Sequence, residues 1–371
     1  MTEPFVPPPY PYDRLAEVVD LAERHAGGAV DLSVGTPFDE PDPLVLAALA
    51  AADDAHRYPA SVGLPPLLDA AARWMQRRFE VSIGTQQIGA AIGAKEFVAS
   101  LPKLLALRRP ERDTVLYPAI SYPSYEMGAQ LASCRAIAVP ARLDGTLDLD
   151  SIDPADAARA LVLWVNSPAN PTGALDDLGA AAEWGRAHGV PVFSDECYVE
   201  FTWTGRGRSI LEHGVDGVVA VHSLSKRSNL AGLRVAFYAG DAELVGYLRE
   251  VRKHGGMMMP GPAQAAGAVA LDDDEHVEAQ RERYHRRLTL LANALTAWSG
   301  RPVELPAGGF YLWMATGDTD GWGMAERLAI DAGAIVSPGE FYGSGGDRFV
   351  RIAVVQPDDR LQLVAERLGV R

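Results

Sequence analysis

The sequence predicts an α/β fold in which a mostly parallel β-sheet is flanked by helices. Short runs rich in Val, Ile and aromatic residues alternate with longer amphipathic stretches, a pattern typical of buried parallel strands separated by helices. The chain has 371 residues, of which 48% are hydrophobic. A single hydrophobic core stops growing at about 250–300 residues, so we expect two lobes.

Six segments of the central part of the chain are predicted to be buried strands. They are Thr114–Tyr117, Ala136–Val139, Leu161–Val165, Val190–Ser194, Val218–His222 and Val235–Ala239. Helices are predicted between them at Ser124–Ala132, Leu178–His188 and Ala242–Lys253. Such sheets bind ligands beyond the carboxyl ends of their strands, so the residues that follow these strands are the candidates for a functional site.

The two ends of the chain differ from its middle. Residues before about 42 are rich in loops and proline, with one helix near Asp13–His25. Towards the other end a long helix is predicted at Val277–Trp298, strands at Phe310–Met314 and Phe349–Val354, and a closing helix from Asp358. We therefore expect a large domain at 43–275 and a smaller α+β domain built from both termini, 1–42 and 276–371.

Charge and composition exclude several classes of protein. The 34 basic and 49 acidic residues give a net charge of −15, which argues against a nucleic-acid partner. Cys134 and Cys197 cannot form a disulfide framework, which fits a reducing compartment. Residues 1–12 do not resemble a signal peptide, and no apolar run reaches the length of a membrane span. We expect a cytoplasmic protein with small-molecule substrates.

The segment from His222 to Arg234 carries a candidate nucleophile. Lys226 follows the end of a predicted strand by four residues, so its amine would lie at the ligand-binding edge, where it could form an imine with an aldehyde cofactor. The hydroxyls of Ser223 and Ser225 and the guanidinium of Arg234 suit a phosphate group. The alternative is an ordinary polar surface loop.

A second segment, Phe193–Tyr198, places an acid at a predicted strand end. The carboxylate of Asp195 could keep a pyridine nitrogen protonated and so make the ring an electron sink. The alternatives are an acidic strand terminus and a metal ligand. Only Glu196 and Cys197 adjoin Asp195 as further ligands, so we expect no metal site.

A third segment, Asn166–Gly173, follows another predicted strand. Its two X-Pro pairs and its glycine predict a rigid turn that holds Asn170, whose amide could donate to a phenolate oxygen. An ordinary strand-to-helix turn would have the same residues.

Three further segments carry weaker signals. Gly93–Glu96 precedes a helix and could offer backbone N–H groups to an anion. An aromatic residue of Ile120–Tyr125 could cover a flat ring, or it could only pack in the core. Arg351 lies in an apolar strand and is the candidate to bind a substrate carboxylate, the alternative being a structural ion pair.

At these residues the sequence resembles the fold-type I pyridoxal-phosphate enzymes of the class I/II aminotransferase family, over nearly the whole chain and in order. Ser-Leu-Ser-Lys226 with an arginine eight residues later carries the resemblance, as does Asn170-Pro-Thr-Gly followed by Asp195-Glu-Cys-Tyr198. The resemblance implies an aspartate aminotransferase-like fold with a seven-stranded sheet in the large domain. It also implies pyridoxal 5'-phosphate as cofactor, and a homodimer with shared active sites.

The resemblance also implies a role for individual residues. Lys226 resembles the catalytic lysine that binds the cofactor covalently and shuttles the proton, and Asp195 the partner of the pyridine nitrogen. Tyr198 and Asn170 resemble donors to the ring's phenolate oxygen, and Tyr122 resembles the stacking aromatic. The remaining positions match phosphate ligands at Ala94, Lys95, Ser223, Ser225 and Arg234, a phosphate ligand from the neighbouring subunit at Tyr58, and substrate ligands at Gly35, Asn170 and Arg351.

The sequence departs from the family pattern in one loop. Gly93-Ala-Lys-Glu96 stands where the family has a Ser-Gly-Thr type of phosphate loop. We therefore expect the backbone donors of this loop, rather than its side chains, to bind phosphate.

A closer resemblance is to actinobacterial succinyldiaminopimelate aminotransferases, at residues 221–232, 252–260 and 338–343. It implies transamination between N-succinyl-L,L-2,6-diaminopimelate and 2-oxoglutarate in lysine biosynthesis. An aminotransferase for aspartate, alanine or acetylornithine and a carbon–sulfur lyase stay open as alternatives. The second carboxylate of a long substrate needs its own partner. Candidate cations include Arg227, Arg252 and Lys253.

Two other classes of protein fit less well. A ligand-sensing domain of a transcription regulator would follow a DNA-binding domain, and residues 1–42 are too short and proline-rich for one. A NAD-binding enzyme would carry Gly-x-Gly-x-x-Gly after a strand, and the sequence has no such motif there.

Overall fold

The computed structural model describes residues 4–53 and 56–369. Within these ranges the α-helices, α1 to α13 in chain order, are Ala16–Ala22, Pro43–Ala51, Pro65–Phe79, Ala94–Arg108, Ser124–Leu131, Pro154–Arg159, Leu178–His188, Leu224–Arg227, Ala242–His254, Gly261–Asp272, Glu275–Ser299, Gly321–Ala332 and Asp358–Arg367. The strands, β1 to β12, are Val30–Asp31, Ile88–Ile92, Thr114–Pro118, Arg135–Val139, Ala160–Asn166, Val192–Asp195, Val218–Ser223, Val235–Gly240, Tyr311–Ala315, Ala334–Ile335, Ser337–Pro338 and Phe349–Ala353. Short 3-10 turns lie at Pro11–Leu15, Thr85–Gln87, Leu149–Ser151, Val199–Phe201, Ile210–His213, Ala231–Leu233, Gly339–Tyr342 and Ser344–Gly346.

The chain forms two compact units. The larger unit consists of 36–285 and 306–310, and the smaller unit consists of the residues up to Gly35, 286–305 and 311 onward. The large domain predicted from the sequence, 43–275, lies inside the larger unit. The predicted domain division stays a prediction.

The larger unit contains a seven-stranded sheet in the order β2-β8-β7-β6-β5-β3-β4. Strand β8 is antiparallel to both of its neighbours, and the pairs from β7 to β4 are parallel. Every residue of β5, β6, β7 and β8 is buried, as expected for strands covered on both faces. The predicted mostly parallel α/β fold is confirmed.

Two sequence predictions for this sheet need correction. Strand β2, Ile88–Ile92, was not among the predicted strands, because its Gly-Ala-Ala centre lacks the β-branched and aromatic residues that identify strands. Strand β6 begins at Val192 rather than at Val190, since Pro191 has no N–H to donate to a neighbouring strand.

Hydrophobic residues pack on both faces of the sheet. One core includes Trp74, Phe79 and Phe237, and a second core includes Phe97 and Trp164. Helices α3 and α10 contribute to the first core, while α4 and α5 contribute to the second. The two cores fix the positions of the strand ends.

The strand register brings the ends of several strands together. Asn166 at the end of β5 pairs with Asp195 at the end of β6. At the end of β7, Ser223 pairs with Ala236 near the beginning of β8, and Ile92 at the end of β2 pairs with Val235. The loops that follow β2, β5, β6 and β7 therefore leave from one edge of the sheet.

The smaller unit contains the three-stranded antiparallel sheet β11-β12-β9 and the parallel pair β1-β10. Arg351 occupies the middle of β12, opposite Ser337 of β11 and Trp313 of β9. The helix predicted near Asp13–His25 is shorter, because a 3-10 turn with proline in its first position precedes α1. Among the described residues, no helix is long and apolar enough to cross a membrane.

Candidate active site

Asp195 lies at the carboxyl end of β6 and is buried. Its carboxylate accepts hydrogen bonds from the Tyr125 hydroxyl at 2.9 Å and from the backbone N–H of Cys197 at 3.2 Å. Burial raises the pKa of Asp195, although the hydrogen bonds from Cys197 and Tyr125 and the nearby charge of Lys226 lower it. The structure therefore brings Lys226 and Asp195 together, and an N–H group facing this carboxylate would stabilise its charge.

Lys226 is held by a single helical turn, α8, which follows β7 directly. Ser223 caps this turn by accepting a hydrogen bond from the N–H of Ser225. The Lys226 ammonium lies 5.8 Å from the centroid of the Phe310 ring, and the Tyr198 ring contacts the same Phe310 edge-on at 5.2 Å. Lys226 and Tyr198 thus share one aromatic neighbour. The sequence prediction had given Phe310 only a place in a strand.

The turn after β5 is tied to the Asp195 strand by Asn166. The side-chain amide of Asn166 donates to the backbone oxygens of Asp195 at 2.9 Å and Pro168 at 3.2 Å. Its oxygen accepts from the backbone N–H of Asn170 at 2.8 Å. Asn170 is buried in this arrangement. Sequence reasoning singled out Asn170 and missed Asn166, which fixes the turn.

An anion-binding cradle forms where α4 begins. Gly93, the residue before α4, has a φ of +80° and no side chain with which to cap the first N–H groups of the helix. A Cβ atom at Gly93 would lie only 2.0 Å from Nη2 of Arg234, so the guanidinium closely approaches the helix start. The Ser223 and Ser225 hydroxyls lie 3.0 Å apart. Helix N–H groups, a guanidinium and hydroxyls suit a phosphate.

Two more predicted residues lie near this site, and a third lies at the surface. The Lys95 ammonium, in the first turn of α4, lies 5.9 Å from the centroid of the Tyr122 ring. The Tyr122 ring in turn lies 6.3 Å from that of Tyr125, the residue bonded to Asp195. Tyr58 is 94% exposed and therefore packs against little of its own chain.

In the smaller unit, Arg351 is buried between two aromatic rings. Its guanidinium carbon lies 4.1 Å from the centroid of Tyr311 and 4.7 Å from that of Tyr342. Its Nη2 atom donates to the backbone oxygen of Ser33 at 2.5 Å and to the Tyr12 hydroxyl at 3.1 Å. These contacts fix the position of the guanidinium, whose charge can attract a carboxylate.

Gly35 and Tyr12 belong to the surroundings of Arg351 in the smaller unit. A Cβ atom at Gly35 would lie 1.8 Å from the Tyr311 hydroxyl, so a larger residue would displace that ring. Burial raises the pKa of Tyr12, but the charge of Arg351 and hydrogen bonds with Tyr342 and Ser337 outweigh it, so the pKa lies below its ordinary value. Sequence reasoning did not single out Tyr12, since nothing in a proline-rich segment indicates a distant arginine.

Two of the three cations considered for a second substrate carboxylate are held in ion pairs in which the cation is buried. Arg252 donates to Glu96 at 2.7 and 3.0 Å, and its side chain is 1% exposed. Arg227 pairs with Glu200 at 3.2 Å, and both side chains are 4% exposed. Lys253 is 61% exposed. Of these three candidates, only Lys253 has an exposed charge.

The fold and these side chains together define a class of protein. A lysine and a buried carboxylate interact at the carboxyl edge of an α/β sheet, and a phosphate cradle lies at the start of a helix at the same edge. This set fits a flat pyridine cofactor that carries an aldehyde and a phosphate. The residues thus suit pyridoxal phosphate.

The comparison with protein families agrees with this class. The sequence model of the class I and II aminotransferases matches residues 28–368. The chain belongs to this family of pyridoxal-phosphate-dependent aminotransferases.

Curated relatives match nearly the whole chain. It is 41% identical to a 4-dedimethylamino-4-oxo-anhydrotetracycline transaminase of Streptomyces rimosus, over 97% of this chain and 99% of that protein. It is 42% identical to a probable aminotransferase of Mycobacterium tuberculosis, over 97% and 85%. It is 34% identical to an LL-diaminopimelate aminotransferase of Aquifex aeolicus, over 97% and 96%.

Solved structures are similar over the same length. The probable N-succinyldiaminopimelate aminotransferase of Thermus thermophilus has a TM-score of 0.84 and 33% identity, covering 95% of this chain and 98% of that one. An aspartate aminotransferase of the same organism has a TM-score of 0.86 and 26% identity, covering 98% and 96%.

Proposed function

We propose that the enzyme transfers an amino group between N-succinyl-L,L-2,6-diaminopimelate and 2-oxoglutarate in lysine biosynthesis, in the cytoplasm. The observation that carries this proposal is the similarity, at 33 and 34% identity, to two proteins whose names include diaminopimelate. The resemblance at residues 221–232, 252–260 and 338–343 supports the same substrate.

In the proposed site, residues of the larger unit hold the cofactor. When bound, pyridoxal phosphate supplies an aldehyde that condenses with amines and a ring that accepts electrons from the substrate Cα. Asp195 would keep a proton on the pyridine nitrogen, and Tyr198 and Asn170 would donate to the phenolate oxygen. Tyr122 would cover the ring. The phosphate ligands are the backbone donors of Ala94 and Lys95, the side chains of Ser223, Ser225 and Arg234, and Tyr58 of the neighbouring subunit.

Residues of this chain also bind the substrate and move its proton. Arg351 and Gly35 of the smaller unit would bind the α-carboxylate of the substrate. The Lys226 amine would serve as the base that removes the substrate's Cα proton and as the acid that later gives a proton back. The rings of Tyr311 and Tyr342 shield Arg351 from water, which strengthens its attraction to a carboxylate.

A homodimer is part of the proposal. Helix α2 is apolar on all sides, yet Leu44 and Leu46 are 58% and 41% exposed. The 94% exposed Tyr58 belongs to the same unit. Exposed apolar side chains of this kind are typical of a surface that a second subunit covers.

An amino-donor screen tests the substrate. Purified enzyme is incubated with 2-oxoglutarate and one amino donor, and glutamate formation is measured for succinyldiaminopimelate, LL-diaminopimelate, acetylornithine, aspartate and alanine. We expect the highest kcat/KM with succinyldiaminopimelate. The Lys226→Ala variant is the control and should lack both the absorbance band of the lysine-bound cofactor and multiple-turnover transamination. A higher kcat/KM with another donor would contradict the proposal.

A second candidate function has a specific observation in its favour. The 41% identity to the S. rimosus transaminase covers 99% of that protein, whose name describes a polycyclic ketone as its substrate. The reverse assay addresses it, with glutamate as donor and a tetracyclic ketone as acceptor. Efficient amination of that ketone, with no activity on succinyldiaminopimelate, would favour this second function.

A further inference from the structure

Two buried charged residues lie immediately behind the proposed cofactor residues. Glu200 is two residues after Tyr198, in the 3-10 turn Val199–Phe201 that follows the Asp195 strand. Arg227 directly follows Lys226 in α8. Both side chains are 4% exposed, and Arg227 Nε lies 3.2 Å from Glu200 Oε1. This ion pair therefore joins the segment with Asp195 and Tyr198 to the segment with Lys226.

The Glu200 carboxylate is the centre of a larger polar cluster. It accepts hydrogen bonds from Trp74 Nε1 at 2.8 Å and from Arg78 Nη2 at 2.6 Å. The backbone oxygen of Glu200 also accepts a hydrogen bond from Arg281. One carboxylate thus serves two guanidinium groups and one indole, and its turn is held by a third guanidinium.

Arg227 is similarly fixed from several sides. Its Nη1 donates to the backbone oxygen of Ala270 at 2.6 Å and to the Ser228 hydroxyl at 3.2 Å. Asp274 lies 3.6 Å from its Nη2, and the guanidinium carbon lies 5.6 Å from the centroid of Trp74. Burial lowers the pKa of Arg227, while Glu200 and Asp274 raise it, so these two carboxylates offset part of the cost of burying the guanidinium.

We propose that Glu200 and Arg227 are positioning residues that hold the Lys226 turn against the Asp195–Tyr198 segment. The turn α8 is only four residues long, too short to be stable without tertiary support. Its last residue is anchored by the ion pair, and its first residue is buried in the core. A displaced Arg227 would therefore move the lysine that precedes it. This inference rests on the proposed role of Lys226 but not on the identity of the amino donor.

The Glu200→Gln variant tests the pair with little change in shape. Glutamine can still accept from Trp74, but Arg227 and Arg78 lose a counter-charge. We expect the affinity of the stripped chain for pyridoxal phosphate to fall about tenfold to a hundredfold, since small misplacements of reacting groups have effects of this size. The uncompensated charge of Arg227 should also move the midpoint of the pH titration of the visible absorbance to lower pH.

An exposed ion pair between neighbouring helices is the matched control. Arg73 of α3 and Asp272 of α10 lie 2.6 Å apart, with side chains 55% and 43% exposed. Asp272→Asn breaks this pair and should leave the cofactor affinity and the titration midpoint within about twofold of wild type. This variant controls for the loss of one negative charge near α3 and α10, the helices that contribute Trp74 and Ala270 to the contacts of Glu200 and Arg227.

The double variant Glu200→Gln, Arg227→Met separates positioning from stability. Replacing both members of a buried pair is often tolerated, whereas breaking it from one side is not. We expect the unfolding temperature to recover towards wild type while the cofactor affinity stays weak. This double variant also carries the test if Glu200→Gln alone does not fold.

Two results would overturn the inference. One is recovery of the cofactor affinity together with stability in the double variant, which would make the pair structural only. The other is a Glu200→Gln variant with unchanged affinity and midpoint. Lys226→Ala tests the underlying assignment separately, because that variant would keep the absorbance band of the lysine-bound cofactor only if Lys226 is not the cofactor lysine.

Discussion

Two adjacent carboxyl groups at the end of β6 occupy opposite environments. Asp195 receives hydrogen bonds from Tyr125 and Cys197 and interacts with the charge of Lys226. Glu196 accepts from the N–H of Ile210 at 2.8 Å, and its other oxygen lies 3.4 Å from Nε2 of the buried His222. Successive strand residues point to opposite faces of the sheet, so the two acids enter different cores.

The second environment is made largely of aromatic rings. His222 packs against Trp74, Phe79 and Phe237 at centroid distances of 4.8, 6.0 and 5.1 Å. Burial raises the pKa of Glu196 to about 8 and lowers the pKa of His222 to about 3. At neutral pH both groups are therefore uncharged, and the Glu196 carboxyl group lies next to the His222 ring. Asp195 therefore suits a cation, whereas Glu196, the next residue, belongs to an uncharged pair with His222.

The largest expected effect comes from Asp195→Asn. An amide cannot hold a protonated pyridine nitrogen, so kcat should fall on the order of 10²–10³-fold, the typical loss when one electrostatic partner is removed from a site. Steady-state kinetics with the preferred donor measure the loss. An Asp195→Asn variant with nearly full activity would show that the two carboxyl groups do not differ in the proposed way.

Glu196→Gln should have the opposite outcome, with activity retained and stability at alkaline pH increased. Between pH 4.5 and about 8 the folded chain holds one proton more than the unfolded chain at Glu196, so this residue makes stability fall as pH rises. The glutamine has no such proton. The stability of the variant relative to wild type should therefore rise through this window, on the order of several kcal/mol by pH 8. It should not rise further at higher pH.

His222 provides the control for this pH dependence. Its folded pKa of about 3 lies below the ordinary value of 6.5, so it makes stability rise with pH between these values in both proteins. Its contribution cancels in the difference between wild type and Glu196→Gln. Urea unfolding at pH 5, 6.5, 8 and 9 measures that difference. A stability difference between the two proteins that does not change from pH 5 to pH 8 would contradict the raised pKa of Glu196.

Tyr125→Phe should have a smaller effect, confined to the Asp195 environment. It removes one hydrogen bond to the carboxylate, and hydrogen bonds to charged groups contribute about 1.5–3 kcal/mol. The pKa of Asp195 should rise further, and the cofactor should bind about tenfold more weakly. A titration of the stripped chain with pyridoxal phosphate measures this change. Phenylalanine keeps the aromatic ring that packs in the core. An unchanged unfolding temperature would therefore exclude a general loss of structure.

The sequence predicted the central strands because most of their residues are apolar and many are β-branched. It missed β2, whose small residues give no such signal. Lys226 and Asp195 could be expected to meet, since each follows a predicted parallel strand and such strands end at one edge. In the structure, the charge of Lys226 does interact with the Asp195 carboxylate.

Other parts of the site could not be predicted from the sequence. Tyr125 contacts Asp195 across 70 residues of sequence, and Phe310 reaches Lys226 because a short segment returns to the larger unit. Charged residues in a sequence do not indicate their partners. Arg227 was therefore a candidate substrate ligand from the sequence, whereas in the structure it forms an ion pair with Glu200. The protonation of Glu196 depends on rings contributed by three separate elements.

Cys197→Ala should have the smallest effect of the series. Burial, together with the nearby Asp195 carboxylate, raises the pKa of the Cys197 thiol well above its ordinary value, so the group stays a thiol. The hydrogen bond to Asp195 from the backbone N–H of residue 197 survives the substitution. We therefore expect kcat to change by no more than about threefold, because a thiol is only a weak hydrogen-bond donor. A loss as large as that of Asp195→Asn would mean that the thiol, and not the backbone donor and Tyr125, keeps the Asp195 carboxylate in place.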